Sequence, residues 1–411
     1  IKINSLLHSI LHSFMLLYNG QIDRINQYLF TGSIFLLPLT VLGNNIFMWA
    51  LVLIWLFSGN YLNKIKEILK NKLAIVSILF FSIHLLALLW TENFGWGVEM
   101  TRKMLPFLFI LPIFLTISKK ENVNYYVYAF LIAIGISEFL SYIVWFELVE
   151  PFGKATILEP TPVMGHISYN PFLAFAIYLT LYKLLFERPM TPWLRTILTF
   201  FVISMIFNMF ITGGRAGQVM FFASIAILTF QFFRDSQVKA TIISAILIAV
   251  ICFAGWSYSP LFKMRIKQVS YDLTLFTTNP NTSVGHRMIF AKNTFDMILS
   301  SPLLGVGTGD FPSEYSKINS INSPAVKSTV QPHNMFLFIQ AQLGLLGLSV
   351  FFWLFYIQFQ FARSSTDRFV HHTGIALPLL FLIIMISDSY LLGHFTSNLF
   401  ILFSSFIYSR N

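Results

Sequence analysis

The sequence predicts an all-α polytopic membrane protein with about twelve membrane-spanning helices and one large loop. Of the 411 residues, 56% are hydrophobic and only 11% are charged, whereas a soluble domain carries roughly 25% charged residues. Apolar runs long enough to cross a bilayer as helices recur from one end of the chain to the other. One long polar stretch, residues 257–333, interrupts them.

The apolar runs give the order of the elements. Residues 1–20 are mildly amphipathic and predict an interfacial helix on the membrane surface. Spanning helices are then predicted at 28–42, 44–58, 73–90, 104–118, 125–148, 166–186, 194–213, 215–233, 240–257, 334–359, 374–388 and 393–408. The chain accordingly divides into an N-terminal interfacial or cytoplasmic segment (1–27), the first nine membrane helices (28–257), an outer loop (258–332) and the last three membrane helices (333–411).

Basic residues set the predicted orientation in the membrane. If the N-terminus is cytoplasmic and every predicted helix crosses, 16 of the 27 Lys and Arg residues lie inside and 4 lie in short outer loops. Because cytoplasmic loops are enriched in basic residues, both termini are predicted inside and the long loop outside. The net charge of +10 is therefore typical of cytoplasmic loops and anionic lipid contacts, and no nucleic-acid partner is predicted.

The long outer loop carries local signals of its own. Residues 286–300 have an amphipathic pattern that predicts a short helix, and Ser301-Pro302 ends it. The glycine spacing of 305–309 does not match a dinucleotide fingerprint, because a helix rather than a strand precedes it. No Asp-x-Asp pair occurs in the sequence, so a diphosphate-bound metal has no obvious ligands. Neither a metal nor a cofactor is predicted.

The loop ends in Pro332-His333-Asn334, directly before an apolar run. Pro332 suits the first turn of a helix, which predicts His333 and Asn334 in the opening turn of a membrane helix at the water boundary. The positive end of the helix dipole disfavours a protonated imidazole, so His333 is a candidate general base. The alternative is an interfacial histidine that makes one hydrogen bond, and three other histidines are also predicted on the outer side.

Two arginines are candidates for binding phosphate oxygens, because a guanidinium offers a rigid fork of donors. Arg215 lies among small residues in segment 212–217, the predicted outer tip of a tight hairpin. Arg287 lies near the start of the predicted loop helix, where anions bind readily. The alternatives are an arginine that reaches lipid head groups for Arg215 and a solvated loop residue for Arg287.

One carboxylate is placed where it could support these groups. Asp388, within Ser387-Asp388-Ser389, lies at the outer end of the predicted helix 374–388. It could orient a base or an arginine, or bind an acceptor. The alternative is an ordinary polar residue at a helix end.

In order and placement, these motifs resemble the O-antigen ligase and polymerase superfamily of bacterial envelope glycosyltransferases. The architecture resembles that superfamily over the whole chain, with a large outer loop between the ninth and tenth predicted helices. The matching segments are Gly214-Arg215-Ala216, Gly285-His286-Arg287, Ser301-Pro302-Leu303-Leu304-Gly305-Val306-Gly307, Pro332-His333-Asn334 and Gln342-Leu343-Gly344-Leu345-Leu346-Gly347.

The resemblance implies a GT-C-like membrane fold with a periplasmic loop and an inverting, metal-independent glycosyl transfer. The donor would be a glycan on undecaprenyl diphosphate and the ligase acceptor would be the lipid A–core oligosaccharide. The reaction would take place at the periplasmic face of the bacterial inner membrane. By the family pattern, Arg215 and Arg287 would hold the donor diphosphate and His333 would activate the acceptor hydroxyl. Asn334 and Asp388 would support them.

Two other functions stay open at this point. An O-antigen polymerase would use a second lipid-linked glycan as acceptor and share all of these features. A transporter of lipid-linked glycans would be expected to show repeat-related halves and ionisable groups at the membrane midplane. Here no internal repeat is visible, and the polar groups are predicted at one membrane surface.

Overall fold

The computed structural model describes residues 20–275 and 281–409, and within them every regular element is a helix. This confirms the predicted all-α polytopic fold. Eight described helical segments are long and apolar enough to cross a membrane: Lys72–Trp90, Phe94–Ile117, Lys120–Trp145, His166–Phe186, Pro192–Ile211, Arg215–Phe232, Gln237–Tyr258 and Met335–Ser364. Three shorter apolar helices are Val41–Phe57, Arg368–Ile384 and His394–Ile407. The count of twelve stays a prediction, and nearly all of the predicted interfacial segment 1–20 lies outside the described residues.

The α-helices are numbered here in chain order. They are α1 (helical residues 20–36), α2 (Val41–Phe57), α3 (Tyr61–Lys70), α4 (Lys72–Leu86), α5 (Phe94–Leu108), α6 (Ile110–Ile117), α7 (Val123–Trp145), α8 (His166–Phe186), α9 (Pro192–Ile211), α10 (Arg215–Phe232), α11 (Gln237–Tyr258), α12 (Pro260–Leu275), α13 (Ser283–Ser300), α14 (Phe311–Asn322), α15 (Met335–Ser364), α16 (Arg368–Ile384) and α17 (His394–Ile407). Short 3-10 turns lie at Ala87–Trp90 and Lys120–Asn122.

Phenylalanine builds the core of the helix bundle. The buried helices α8 and α17 lie at its centre, and Phe130 packs edge-on against Phe403 with ring centroids 5.0 Å apart. Phe175 meets Phe403 in the same way at 4.8 Å. Rings at these distances gain quadrupole attraction in addition to packing area. Buried Phe–Phe contacts of this kind therefore help to hold together helices that have no hydrophobic effect between them inside a bilayer.

Helix α5 corrects one predicted boundary. The spanning helix expected at 104–118 starts at Phe94 instead, because Asn93 caps it by accepting from the Trp96 N–H at 3.2 Å. Arg102 and Lys103, two of the four basic residues that the predicted topology places in short outer loops, are helical residues of α5. Their polarity lowers the hydropathy of the first half of the helix and conceals its start.

The polar region between α11 and α15 folds onto one end of the bundle. The predicted loop helix 286–300 is present as α13 from Ser283, where Thr282 caps it by accepting from the Gly285 N–H at 3.1 Å. The sequence did not predict α12 or α14, which flank it. Helices α13 and α14 form a second hydrophobic core with the start of α15, in which Phe290, Phe311 and Phe338 are buried.

Helix α15 is broken at Gly344, whose φ of +63° lies in the left-handed region. The connector 302–307 lies against the break and supplies the hydrogen bonds that the helix loses. The Val306 N–H donates to the Ala341 carbonyl at 2.9 Å, and the Leu345 N–H donates to the Pro302 carbonyl at 2.9 Å. The two glycine-containing segments singled out in the sequence are therefore two halves of one structural joint.

Candidate active site

Three arginines line one cavity of about 480 Å³ at the end of the bundle where α9 meets α10. Arg215 and Arg287, the two predicted phosphate-binding residues, are both among them, together with Arg265. The sequence placed the first two on one side of the membrane without showing that they converge. The structure brings them together, and Asp388 lines the same cavity.

Tight packing fixes the position of Arg215. Only three residues separate α9 from α10, as the predicted hairpin requires. Thr212 donates through Oγ1 to Asn170 Oδ1 at 2.9 Å. A side chain at Gly214 would place its Cβ 2.6 Å from the His166 carbonyl oxygen, so this position needs glycine. Arg215 itself is half-buried at the first position of α10 and donates to Gln268 Oε1 at 3.2 Å.

Arg265 is the site residue that the sequence analysis missed. It projects from α12, and its Nη2 pairs with Glu159 Oε1 at 3.0 Å. Glu159 also contacts His166 Nδ1 at 2.7 Å. The Arg265 Nε–H is buried without a hydrogen-bond partner among the described residues. Because α12 was not predicted, nothing in the sequence distinguished Arg265 from the other basic residues of the loop.

Arg287 is the most open of the three. It lies in the second turn of α13 and is exposed to solvent. Its charge acts on both Arg215 and Asp388. An exposed guanidinium at the mouth of the cavity, with two half-buried ones inside, gives a site suited to a ligand that carries more than one negative charge.

His333 lies immediately before α15 rather than in its first turn, so that prediction is wrong. The N-cap is Asn334, whose Oδ1 accepts from the Phe336 and Leu337 N–H groups at 3.0 and 3.1 Å. Asparagine is a strongly preferred N-cap, which outweighs the preference of Pro332 for the first helical turn. His333 consequently adopts a φ of +52° outside the helix.

Asp388 holds His333 in place. Its Oδ1 lies 3.1 Å from His333 Nδ1 and accepts from the Ser389 N–H at 2.7 Å. The carboxylate is not at a helix end as predicted, because α16 stops at Ile384 and Asp388 lies in the linker before α17. Asn334 Nδ2 donates to the Ile386 carbonyl of that linker at 3.1 Å, which ties the two segments together.

Electrostatics keep Asp388 ionised. Burial acts to raise its pKa, but the hydrogen bond and charge of His333, the Ser389 N–H and the charge of Arg287 outweigh burial and hold the pKa below its ordinary value. The carboxylate can therefore accept a hydrogen bond from His333 Nδ1, which leaves Nε2 as the ring nitrogen with a lone pair. Nε2 has no hydrogen-bond partner within the described part of the chain.

The ring of Phe290 positions the other side of the imidazole. It stacks on His333 with ring centroids 6.0 Å apart and an interplanar angle of 23°. Phe290 and Arg287 both lie on α13, so this one helix supplies both a cation and the aromatic ring that packs against the imidazole of His333.

In residues 20–275 and 281–409, no group of three or more His, Cys, Asp or Glu residues could hold a metal ion. Metal independence of the reaction stays a prediction.

Fold and site together define a multi-pass, all-helical membrane protein with a cationic cavity beside a histidine–carboxylate pair. Residues 200–352 match the model of the family described as O-antigen ligase. This match supports the O-antigen ligase and polymerase superfamily that the motifs predicted, whose members are glycosyltransferase-like enzymes of O-antigen processing. No curated protein matches it. The matched residues include all three cavity arginines and His333, whereas Glu159 and Asp388 lie outside them.

Proposed function

We propose that this protein is an inverting, metal-independent O-antigen ligase. It would move a glycan from undecaprenyl diphosphate to the lipid A–core oligosaccharide at the periplasmic face of the bacterial inner membrane. The observation that carries the proposal is that Arg215, Arg265 and Arg287 line one cavity next to the His333–Asp388 pair. Glycosyl transfer from a sugar diphosphate requires groups that stabilise the departing diphosphate and a group that accepts the proton of the acceptor hydroxyl.

The three guanidinium groups would bind the donor diphosphate. As the bond between the anomeric carbon and the diphosphate oxygen breaks, its electron pair passes to that oxygen. The growing negative charge is stabilised by cations already in position, and such preorganised stabilisation is usually the largest single contribution to catalysis. Arg265 Nε–H, buried and without a partner in the described residues, is a donor available for this purpose.

An apolar cavity supports the assignment of a lipid-linked donor. It has a volume of about 980 Å³ and is lined by α9, α11 and α12. Leu158 and Met264 line this apolar cavity, and the residues that follow them in the chain form the Glu159–Arg265 pair at the cationic cavity. A polyprenyl chain would lie in the apolar cavity while its diphosphate lies among the arginines.

His333 would act as the general base. Asp388 holds its Nδ1 at 3.1 Å, so Nε2 can take the proton of the acceptor hydroxyl as the oxygen attacks the anomeric carbon. The arrangement resembles other catalytic pairs in which a buried carboxylate fixes the tautomer of a histidine. General-base assistance of this kind contributes roughly 10²–10⁴ in rate.

The proposal is tested with purified protein in nanodiscs, a lipid-linked glycan donor and lipid A–core acceptor. Arg215→Gln, Arg265→Gln and Arg287→Gln should each lower kcat/KM by on the order of 10²–10³, and His333→Ala by roughly 10²–10⁴. Matched controls are Arg102→Gln and Lys263→Gln, both exposed cations outside the cationic cavity.

Each possible result tests a different part of the proposal. Near wild-type turnover in His333→Ala eliminates the base assignment. Full activity of the arginine variants eliminates the diphosphate site. Extension of a second lipid-linked glycan, with none transferred to lipid A–core, identifies a polymerase instead. Strict dependence on a divalent cation contradicts metal independence.

A further inference from the structure

A second pocket, of about 270 Å³, is lined by Asp388, the carboxylate that contacts His333. It shares Asp388 and Tyr390 with the cationic cavity, so the two spaces meet at the linker that holds His333. Trp96 and Lys103 of α5 form one of its walls.

This pocket presents hydrogen-bond donors that nothing in the described structure uses. The Trp96 Nε1–H and the Ser389 Oγ are buried without hydrogen-bond partners among the described residues. Lys103 has no acidic group within 4.0 Å in the described parts of the chain, and its Nζ lies 6.0 Å from the centre of the Trp96 ring. Glu99, on the same helix, is held by Arg102 at 3.0 Å.

Charge distinguishes the lining of this pocket. Its two charged residues are Lys103 and Asp388, and the carboxylate is already occupied by His333. A free ammonium group, an indole N–H and a hydroxyl favour a ligand rich in oxygen and negatively charged. The flat face of an indole also suits a sugar ring, which presents C–H groups on one side and hydroxyls at its edge.

We propose that this pocket is the acceptor subsite, and that Lys103 selects an acceptor glycan carrying a phosphate or carboxylate near the accepting hydroxyl. The inference rests on the proposed function, because it needs His333 to act between two substrates. The donor would lie in the cationic cavity on one side of Asp388, and the acceptor among Trp96, Lys103 and Ser389 on the other. Lys103 and Trp96 are specificity-determining residues in this scheme.

Equilibrium binding tests the inference without requiring turnover. Purified protein in phosphatidylcholine nanodiscs is titrated with a soluble phosphorylated core oligosaccharide and with the same oligosaccharide after dephosphorylation. The wild type should bind the phosphorylated form about ten-fold more tightly, since one charge-assisted hydrogen bond contributes roughly that factor. Lys103→Gln should abolish the preference and Lys103→Arg should retain it. Arg102→Gln, next to it on α5 but outside the pocket lining, should leave it unchanged.

The indole has its own test. Trp96→Phe keeps an aromatic ring but removes the Nε1–H, so it should weaken binding of both oligosaccharides by a similar factor and leave the ratio between them intact. Loss of the ratio with no change in overall affinity would contradict the roles given to the two residues.

Three results overturn the inference. They are equal binding of the two oligosaccharides to the wild type, an unchanged preference in Lys103→Gln, and no binding of either. A fourth result would assign Lys103 to a phospholipid head group instead. It is Lys103-dependent retention of lipid in phosphatidylglycerol nanodiscs, together with no discrimination between the two oligosaccharides in either lipid. Failure of the proposed function looks different, because it appears in donor turnover of the Arg215 and His333 variants.

Discussion

His333 has a backbone conformation that its neighbours must stabilise. A φ of +52° costs a non-glycine residue roughly 1–2 kcal/mol. The surrounding contacts hold it there: the Met335 N–H donates to the Met385 carbonyl at 2.9 Å, and Asp388 holds the imidazole. With this left-handed φ, His333 lies outside α15 and its ring contacts Asp388.

Replacement of Asp388 by asparagine tests this arrangement. Asp388→Asn keeps the shape of the side chain but removes the charge that fixes the Nδ1–H tautomer, so kcat should fall by as much as about 10⁴-fold, the loss found when the carboxylate partner of a catalytic histidine becomes an amide. KM for the donor should change little. The matched control is Asp235→Asn, a carboxylate that is 94% exposed and lies just beyond the end of α10 remote from the site, which should leave kcat unchanged.

The same variant gives a stability prediction with a definite sign. The pKa of Asp388 is lower in the folded protein than its ordinary value of 3.8, so ionised Asp388 stabilises the fold at pH values above that ordinary value. This contribution is lost as pH falls through the folded pKa. The Tm difference between wild type and Asp388→Asn should therefore shrink as the pH falls below about pH 4. A difference that stays unchanged across that acidic range would contradict a stabilising ionised Asp388.

At the scale of elements, the break in α15 decides where the site can form. Backbone groups at membrane depth must find partners inside the protein, and the connector 302–307 supplies them. Shortly after this connector, Asp310 attaches the chain to the segment that precedes α5. Its carboxylate accepts from the Glu92 and Asn93 N–H groups at 2.9 and 2.7 Å. Helix α5, which carries Trp96 and Lys103, is thereby linked to the helix that His333 precedes.

Gly344→Ala should disrupt this joint. Its Cβ would lie 2.2 Å from the Leu303 carbonyl carbon, and an L-residue is strained at φ +63°. The free energy of unfolding should fall by at least about 2 kcal/mol, measured by denaturant titration in detergent. Gly95→Ala is the control, since its Cβ would meet only one atom, at 4.0 Å, and alanine is favoured in helices. Equal stability of the two variants would show that the connector does not need glycine there.

At the scale of the whole molecule, the sequence predicts what hydropathy and local chemistry decide. Bilayer-crossing segments must be apolar and helical, so the all-α fold follows from composition, and Arg215 was identifiable because small residues surround it. Arg265 was not, since its role depends on α12 folding back beneath the hairpin. The pairing of His333 with Asp388 joins residues 55 positions apart, and only tertiary packing reveals it.

The two ends of the bundle are distinguishable by residues that can be labelled. Helix α10 runs from Arg215 at the site to Phe232, so Asp235 just beyond it lies at the opposite end. Lys327 lies in the segment between α14 and α15, on the same side as His333. Both are exposed. The basic-residue pattern predicts Asp235 inside and the long loop outside.

Cysteine labelling in intact cells should therefore separate these positions. In a Cys252→Ala background, which removes the only native cysteine, a membrane-impermeant maleimide should modify Lys327→Cys and leave Asp235→Cys unmodified until the cells are opened. This follows from the proposed function, which requires the site to face the compartment that holds both the lipid-linked donor and the acceptor. Labelling of both after lysis shows that each thiol is accessible in the folded protein. The reverse pattern in intact cells would place the arginine cavity in the cytoplasm and remove the periplasmic reaction, whatever the purified enzyme does with its substrates.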